Sequence, residues 1–309
     1  MAKNKPVIYI VGPTASGKTS FSIQIAKRFN GEIISGDSMQ IYKGMHIASA
    51  APDEEEKQGI PHHLFEFLNS NEKFSVCEYV KMANEVISDI HSKNKLPIVV
   101  GGTGLYISSL AENLCFGDEG DTLDIRAELE QRIEKNGLTE LYEYLKAIDP
   151  KSAEKISSND KKRIIRAIEI YKTCGKTKSQ VDEESKEAGS IYDNLFLGLN
   201  YINRETLYKR INDRVDLMLQ NGLIDEAKNA YETISGTASQ AIGHKEFFEY
   251  FKGDMEFVEA VERLKMQTRR YAKRQLTWFR KNENINWIYM DNEENPLDLA
   301  YYYIENFLN

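Results

Sequence analysis

Cysteine is scarce in this 309-residue chain. The three present, Cys77, Cys115 and Cys174, lie far apart and form no C-x-x-C pair. That excludes a disulfide scaffold and offers no zinc site. Long apolar runs are also missing. Met1 to Pro6 is followed by only five apolar residues, Val7 to Val11, too few for a signal-peptide core or a membrane span. The expectation is a cytoplasmic chain with no membrane partner. No internal repeat or low-complexity stretch is visible. What remains is ordinary for a soluble globular chain, with 41% hydrophobic and 28% charged residues, and it excludes a disordered tail or a collagen-like fibre. The length suits one large domain or two smaller ones.

Positive charge is short overall, since the net charge is −8. It is nevertheless concentrated. Residues 151–180 carry nine Lys/Arg against three Asp/Glu, a net of +6, and residues 263–281 carry eight Lys/Arg and no acid, a net of +8. The rest of the chain therefore holds −22. An acidic body with two basic faces suits a polyanion-binding protein; two solvated helix faces would give the same composition.

The first segment reads strand, turn, helix. Val7–Val11 is a continuous β-branched apolar run, as in a strand buried on both faces. Thr19–Phe29 has helical spacing, Glu32–Ser35 is a short strand, and Val76–Ser92 a helix. Leu96–Val100 is a third buried strand. Alternation of strands and helices predicts a parallel α/β sheet with helices on both faces. Residues 117–190 are polar and helical, with Phe116–Asp121 resembling a linker. Leu195–Leu199 then returns to the sheet, and Trp287–Met290 is a late strand candidate. The expected organisation is an α/β core, 1–116 and 191–309, interrupted by an all-helical insertion, 117–190.

Gly12, Pro13, Thr14, Ala15, Ser16, Gly17, Lys18 and Thr19 match G-x-x-x-x-G-K-[ST], between a buried strand and a helix. Small residues let the loop wrap a phosphate with backbone N–H groups. Lys18 adds a charge, and the Thr19 hydroxyl suits magnesium. The acidic strand end that usually holds magnesium in P-loop proteins is absent: Ile98–Val100 runs into Gly101-Gly102-Thr103-Gly104 instead. The loop is therefore expected to hold a phosphorylated ligand that is not hydrolysed for work. Asp37, just past the second strand, is the candidate carboxylate, as a general base, a hydrogen-bond acceptor for the substrate, or an Asx turn or N-cap. The adjacent His62 and His63 point in different directions and make a poor metal pair. In the second basic island Lys265, Arg269 and Lys273 share one helix face, widened by Arg270 and Arg274. Leu264, Tyr271 and Trp278, seven apart, mark the side expected to be buried.

With these stretches in order along about nine-tenths of the chain, the sequence resembles the bacterial tRNA dimethylallyltransferases. The matching segments are GPTASGKT at Gly12–Thr19, DSMQIY at Asp37–Tyr42, PHHL at Pro61–Leu64, FSV at Phe74–Val76 and GGTGLY at Gly101–Tyr106. RAIEIY at Arg166–Tyr171, LYKRINDRVDLML at Leu207–Leu219, QAIGHKE at Gln240–Glu246 and YAKRQLTWFR at Tyr271–Arg280 continue the series. The resemblance implies transfer of a dimethylallyl group from dimethylallyl diphosphate to N6 of the adenosine 3′ to the anticodon, with Mg2+ as cofactor and a monomeric chain. It implies that Asp37 contacts the amine with Thr103 beside it, and that the P-loop and Arg214 hold the diphosphate. The implied tRNA contacts are Asp37, Ser38, Met39 and Gln40; Thr103; Arg126; Lys162, Arg163, Ile164, Ile165 and Arg166; Gln240, Ala241, Ile242, Gly243, His244 and Lys245; and Lys273, Arg274, Gln275, Leu276, Thr277, Trp278, Phe279 and Arg280.

The chain departs from the family pattern at Ile47-Ala48-Ser49-Ala50-Ala51-Pro52, where I-G-T-A-K-P is usual, and at His244, where tyrosine is common. The rival reading is a small-molecule or nucleotide kinase on the same P-loop. It would need ATP and a metal-binding carboxylate after a strand. A non-catalytic tRNA-binding module is the third reading, and the P-loop argues against it.

Overall fold

A computed structural model describes residues 5–114, 123–234 and 238–309. The chain divides into two compact units, Met1–Ala111 with Tyr192–Asn309, and Glu112–Ile191. The linker expected at 116–121 and Cys115 fall outside the described residues. Cys77 is buried in the larger unit, and Cys174 is exposed and free.

The larger unit holds six strands: β1 Pro6–Val11, β2 Gly31–Ser35, β3 His62–His63, β4 Leu96–Gly101, β5 Asp193–Asn200 and β6 Ile285–Tyr289. They form one parallel sheet in the order β3-β2-β4-β1-β5-β6. β1 explains why such strands read as unbroken apolar runs. Val7, Tyr9 and Val11 enter one hydrophobic cluster, and Ile8 and Ile10 enter the cluster on the opposite face. Burying an aliphatic side chain of this size stabilises the fold by roughly 1.5–3 kcal/mol. Tyr9 stacks on Phe196 of β5 with ring centroids 4.6 Å apart.

Within the larger unit, helices pack on both faces of the sheet. In chain order they are α1 Lys18–Arg28, α2 His46–Ser49, α3 Glu54–Lys57, α4 Val76–Ser92 and α5 Gly104–Ala111. The smaller unit supplies α6 Leu123–Asn136, α7 Leu138–Ile148, α8 Pro150–Lys155, α9 Lys161–Cys174 and α10 Lys178–Ala188. The chain then returns with α11 Arg204–Gln220, α12 Leu223–Thr233, α13 Phe248–Lys252, α14 Phe257–Phe279 and α15 Pro296–Leu308. α4 starts at a capping box, Ser75 Oγ accepting from Glu78 N and Glu78 reaching back to Ser75 N, which satisfies two orphan donors at once. Among the described residues, no helix is long and apolar enough to cross a membrane.

The smaller unit has its own core, in which Leu129, Leu141, Leu145, Ile164 and Ile168 are buried. Ile164 and Ile165 lie on that buried side of α9. Their place among the expected tRNA contacts is corrected: at helical spacing they sit opposite the exposed Lys162 and Arg163 and present no side chain to a partner.

His62 and His63 form the two-residue edge strand β3. His63 Nε2 pairs with Glu32 Oε2 at 2.7 Å, and Lys95 Nζ reaches Glu32 Oε1 at 2.7 Å. His62 Nδ1 meets the Ile60 carbonyl at 2.7 Å. Both rings are thus engaged in packing, and among the described residues no group of three His, Cys, Asp or Glu side chains is placed to hold a metal.

Candidate active site

A cavity of about 570 Å³ opens at the carboxyl ends of β1, β2 and β4. That is where ligands settle in open parallel sheets. Its floor is the P-loop. Gly12, at φ +148°, passes so close to β5 that a Cβ there would lie 2.4 Å from the Leu199 carbonyl oxygen. Only glycine lets the loop turn at that point. Lys18, the first residue of α1, folds its Nζ back onto the Gly12 and Pro13 carbonyls at 3.0 and 2.8 Å. Burial, then the Arg214 guanidinium, pull its pKa down to about 7, against the opposing pull of Asp37. Thr14 to Thr19 line the cavity, and buried Ser16 Oγ has no hydrogen-bond partner among the described residues.

Asp37 faces this floor. Its Oδ1 accepts the Met39 N–H at 3.0 Å, forming the Asx turn, so the local and the functional readings of this residue coexist. Burial pushes its pKa up, and the Met39 N–H, Lys18 and Arg214 push the other way. Arg214, on α11, has its pKa lowered by burial and supported by Asp37 and Glu56. Thr103 Oγ1 accepts from Ser38 N at 3.0 Å and lies 3.2 Å from Ser38 Oγ. Asp37, Ser38, Thr103 and the turn after β4 therefore form one braced group. Tyr271 of α14 lines the same cavity, and its hydroxyl pKa is raised well above the usual tyrosine value, chiefly by burial.

Gln275 belongs to an expected tRNA-contact stretch, and its side chain is placed differently. It is buried, its Oε1 accepts from Thr14 N at 2.9 Å, and its Nε2 donates to the Gly102 carbonyl at 3.0 Å. One amide thus ties the P-loop to the Gly101–Gly104 turn. A side chain at Gly102 would collide with it, its Cβ falling 2.1 Å from Gln275 Nε2. Phe279 is likewise buried on the core side of α14 and corrected from a contact to a packing residue. Leu276 is partly buried against Leu207 and Ile211. Lys273, Arg274, Thr277, Trp278 and Arg280 are exposed. Trp278 is not on the buried side as its spacing suggests; its indole N–H donates to Ser108 Oγ at 3.1 Å from the surface.

Gln240, Ala241, Ile242, Gly243 and Lys245 line the same cavity, as do Ser38, Met39 and Gln40. His244 does not: it is fully buried, with Nε2 2.8 Å from Glu226 Oε1. Arg126 lies in the smaller unit, where its Nε and Nη2 grip the two oxygens of buried Glu169 at 2.7 and 3.0 Å. Two cavity-side residues are not evident from the sequence alone. Arg210, one turn before Arg214, donates Nε to the Ala15 carbonyl at 3.0 Å and lines the cavity beside the P-loop. The four-residue spacing of the two arginines is a usable signal. Tyr271 is the other, since its heptad spacing marks it for the core alone.

Fold and cavity define a P-loop-type α/β protein whose phosphate loop looks onto a carboxylate and an arginine rather than onto an acidic strand end. The family model described as IPP transferase matches residues 40–282, and one described as Isopentenyl transferase matches residues 5–72. The chain belongs to the IPP transferase family. It is 50% identical over 307 residues to the tRNA dimethylallyltransferase of Acetivibrio thermocellus, covering 97% of this chain and 98% of that one. With the tRNA dimethylallyltransferase of Bacillus subtilis it shares 47% over 288 residues, 93% and 91% of the two chains. Among solved structures, the full-length tRNA isopentenylpyrophosphate transferase of Bacillus halodurans superposes with a TM-score of 0.74 at 42% identity, covering 98% and 97% of the chains. A eukaryotic dimethylallyltransferase acting on tRNA gives 0.83 at 32% identity, covering 98% of this chain and 79% of that one.

Proposed function

We propose that this transferase moves a dimethylallyl group from dimethylallyl diphosphate to the N6 amine of the adenosine 3′ to the anticodon of tRNA. The observation that carries the reading is the facing pair in one cavity: a phosphate loop with Lys18 and Arg214 on one side, and Asp37 on the other, next to Ser38, which Thr103 hydrogen-bonds from behind.

The chemistry needs both sides. An adenine N6 amine is a poor nucleophile because its lone pair is delocalised into the ring. As N6 bonds to C1 of the allyl group, the C1–O bond to diphosphate breaks and positive charge develops on nitrogen. Asp37 takes the N6 proton, and the raised carboxyl pKa strengthens it as a base. Thr103, hydrogen-bonded to Ser38, orients the amine from beside Asp37. Lys18, Arg214 and the loop N–H groups stabilise the negative charge that builds on the leaving diphosphate. The base reaches the cavity only after leaving its stack in the anticodon loop.

The donor set fits Mg2+ as a partly ligand-supplied ion. Thr19 offers a hydroxyl at the cavity wall, and no protein cage of His, Cys, Asp or Glu forms among the described residues; magnesium keeps few protein ligands and takes the rest from phosphate and water. When bound, it would neutralise charge on the departing diphosphate. The chain is read as a cytoplasmic monomer, as its resemblance to the bacterial tRNA dimethylallyltransferases implies. The kinase reading shares the P-loop but is not favoured, because β4 ends in glycine rather than in a metal-binding carboxylate.

The test is diphosphate release from dimethylallyl diphosphate with and without unmodified tRNA. Release that requires tRNA supports the reading. Release indifferent to tRNA, or phosphoryl transfer from ATP to a small acceptor, overturns it.

A further inference from the structure

The two departures from the family pattern, at Ala48 and at His244, meet at one carboxylate. Glu226, on α12, accepts from Ile47 N through Oε2 at 2.7 Å and from Ala48 N through Oε1 at 2.9 Å. The same Oε1 lies 2.8 Å from His244 Nε2. The histidine side chain is fully buried and that of Glu226 is 11% exposed. A buried carboxylate without donors would be costly; this one has three. Burial pushes its pKa up, yet His244 and the two N–H groups hold it below the usual carboxylate range.

The loop that Glu226 grips is also held from its other end. Gln40 Nε2 donates to the Ser49 and Ala50 carbonyls at 3.4 and 3.2 Å, and Gln40 Oε1 accepts from Ser35 Oγ at 2.9 Å. Apolar packing adds to the grip. Ile47 and Ala48 pack against the cluster containing Leu223 and Ala227. Ala48 lies so close to Gly243 that a Cβ there would come within 2.9 Å of its methyl group. Ala48, Ser49 and Ala50 line the cavity between Gln40 and the Gln240–Lys245 segment.

We propose that Glu226, clamped by His244, is a positioning residue that locks the loop of residues 46–51 to the Gly243–His244 turn, so that the acceptor-facing walls of the cavity act as one rigid surface for the tRNA. Neither side chain is exposed to a substrate. Both act by fixing the backbone that carries the exposed residues. The donor side, built on the P-loop, Arg210 and Arg214, is braced separately through Gln275 and Arg210. The clamp should therefore govern the acceptor and spare the donor. This inference rests on the functional reading above.

The experiment compares equilibrium binding of unmodified tRNA and of dimethylallyl diphosphate, with steady-state constants and thermal melting, in wild type, Glu226→Ala, Glu226→Gln, His244→Leu and His244→Gln. Losing hydrogen bonds to a charged group should weaken tRNA binding about tenfold or more in Glu226→Ala, with donor affinity within about threefold of wild type. His244→Leu should lie between the two. His244→Gln, whose amide nitrogen can reach the position of Nε2, should recover most of what leucine loses. Wild-type tRNA affinity in both Glu226→Gln and His244→Leu overturns the proposal, as does a parallel loss of donor and tRNA affinity that tracks melting temperature. Should Glu226→Ala fail to fold, those two milder variants decide the question. A wild type that binds tRNA but does not prenylate it fails the functional reading, while the binding comparison still decides this one.

Discussion

The two basic islands look alike in composition and differ in the folded chain. Of the nine cations in 151–180, six are already paired: Lys151 with Glu183, Arg163 with Asp160, Arg166 with Glu169, Lys172 with Glu128, Lys176 with Glu184, and Lys178 with Asp182. In 263–281 only Arg263 and Lys265 have acidic partners among the described residues, Glu249 and Asp216, while Arg269 bonds the Asn212 side chain. Arg270, Lys273, Arg274 and Arg280 are exposed with no ion pair among the described residues. The inner side of the same helix supplies Tyr271 and Gln275 to the cavity, whereas 151–180 belongs to the smaller unit. A count of charges therefore measures polyanion attraction poorly. What counts is the charge left unpaired, and whether its helix also builds the site.

If surface and cavity divide the work in this way, substitutions at the reacting groups of the cavity should damage chemistry far more than tRNA affinity. Asp37→Asn should show the largest effect. It keeps the shape and removes the base, so single-turnover prenyl transfer at saturating tRNA should fall by about 10²–10⁴, with tRNA binding changed only a few-fold. An unchanged rate would remove Asp37 from the chemistry. Next, Lys18→Ala and Arg214→Ala should each cost on the order of 2–4 kcal/mol of transition-state stabilisation, read as kcat/KM for dimethylallyl diphosphate. A variant with weakened tRNA affinity but intact donor kinetics would reverse the assignment.

The islands themselves should separate in a salt titration of tRNA binding. Neutralising Lys273 and Arg274 should flatten the log–log slope by roughly 0.7–0.9 for each tRNA phosphate no longer neutralised. Neutralising Arg163 and Arg166 should flatten it less, since both already answer to Asp160 and Glu169; of that stretch, exposed Lys162 should carry the larger share. Equal slopes for both pairs would erase the contrast between the islands.

The smallest effect is on pH. Lys18, with its pKa near 7, is largely neutral above that value in the free protein. A bound diphosphate favours the ammonium, so binding takes up a proton. Donor affinity should weaken as pH rises above about 7, approaching tenfold per unit. The trend should flatten in Lys18→Arg, which stays charged. Calorimetry in buffers of different ionisation enthalpy would measure the proton uptake directly, and none at pH 8 would contradict the shifted pKa.

The sheet is legible in the sequence because its strands are buried on both faces, so Val7–Val11 and Leu96–Val100 stand out as unbroken apolar runs. The P-loop is legible because its spacing carries its own geometry. Other features depend on partners remote in sequence. The neutralising Glu128, Glu183 and Glu184 lie outside 151–180. Gln275 finds Thr14 261 residues away. Glu226 collects Ala48 and His244 with no local pattern to announce it. Trp278 misleads for a different reason. A straight α-helix drifts about 20° per heptad, so two heptads beyond buried Leu264 the same register has turned toward the surface.

The most direct test of the account is nucleoside analysis of unmodified tRNA after incubation with the protein, dimethylallyl diphosphate and Mg2+. One new nucleoside is expected, a dimethylallylated adenosine mapping to the position 3′ to the anticodon, formed in equal amount with diphosphate and about a hundredfold or more slower in Asp37→Asn. Modification at another position or on another base, or full activity in Asp37→Asn, would contradict it.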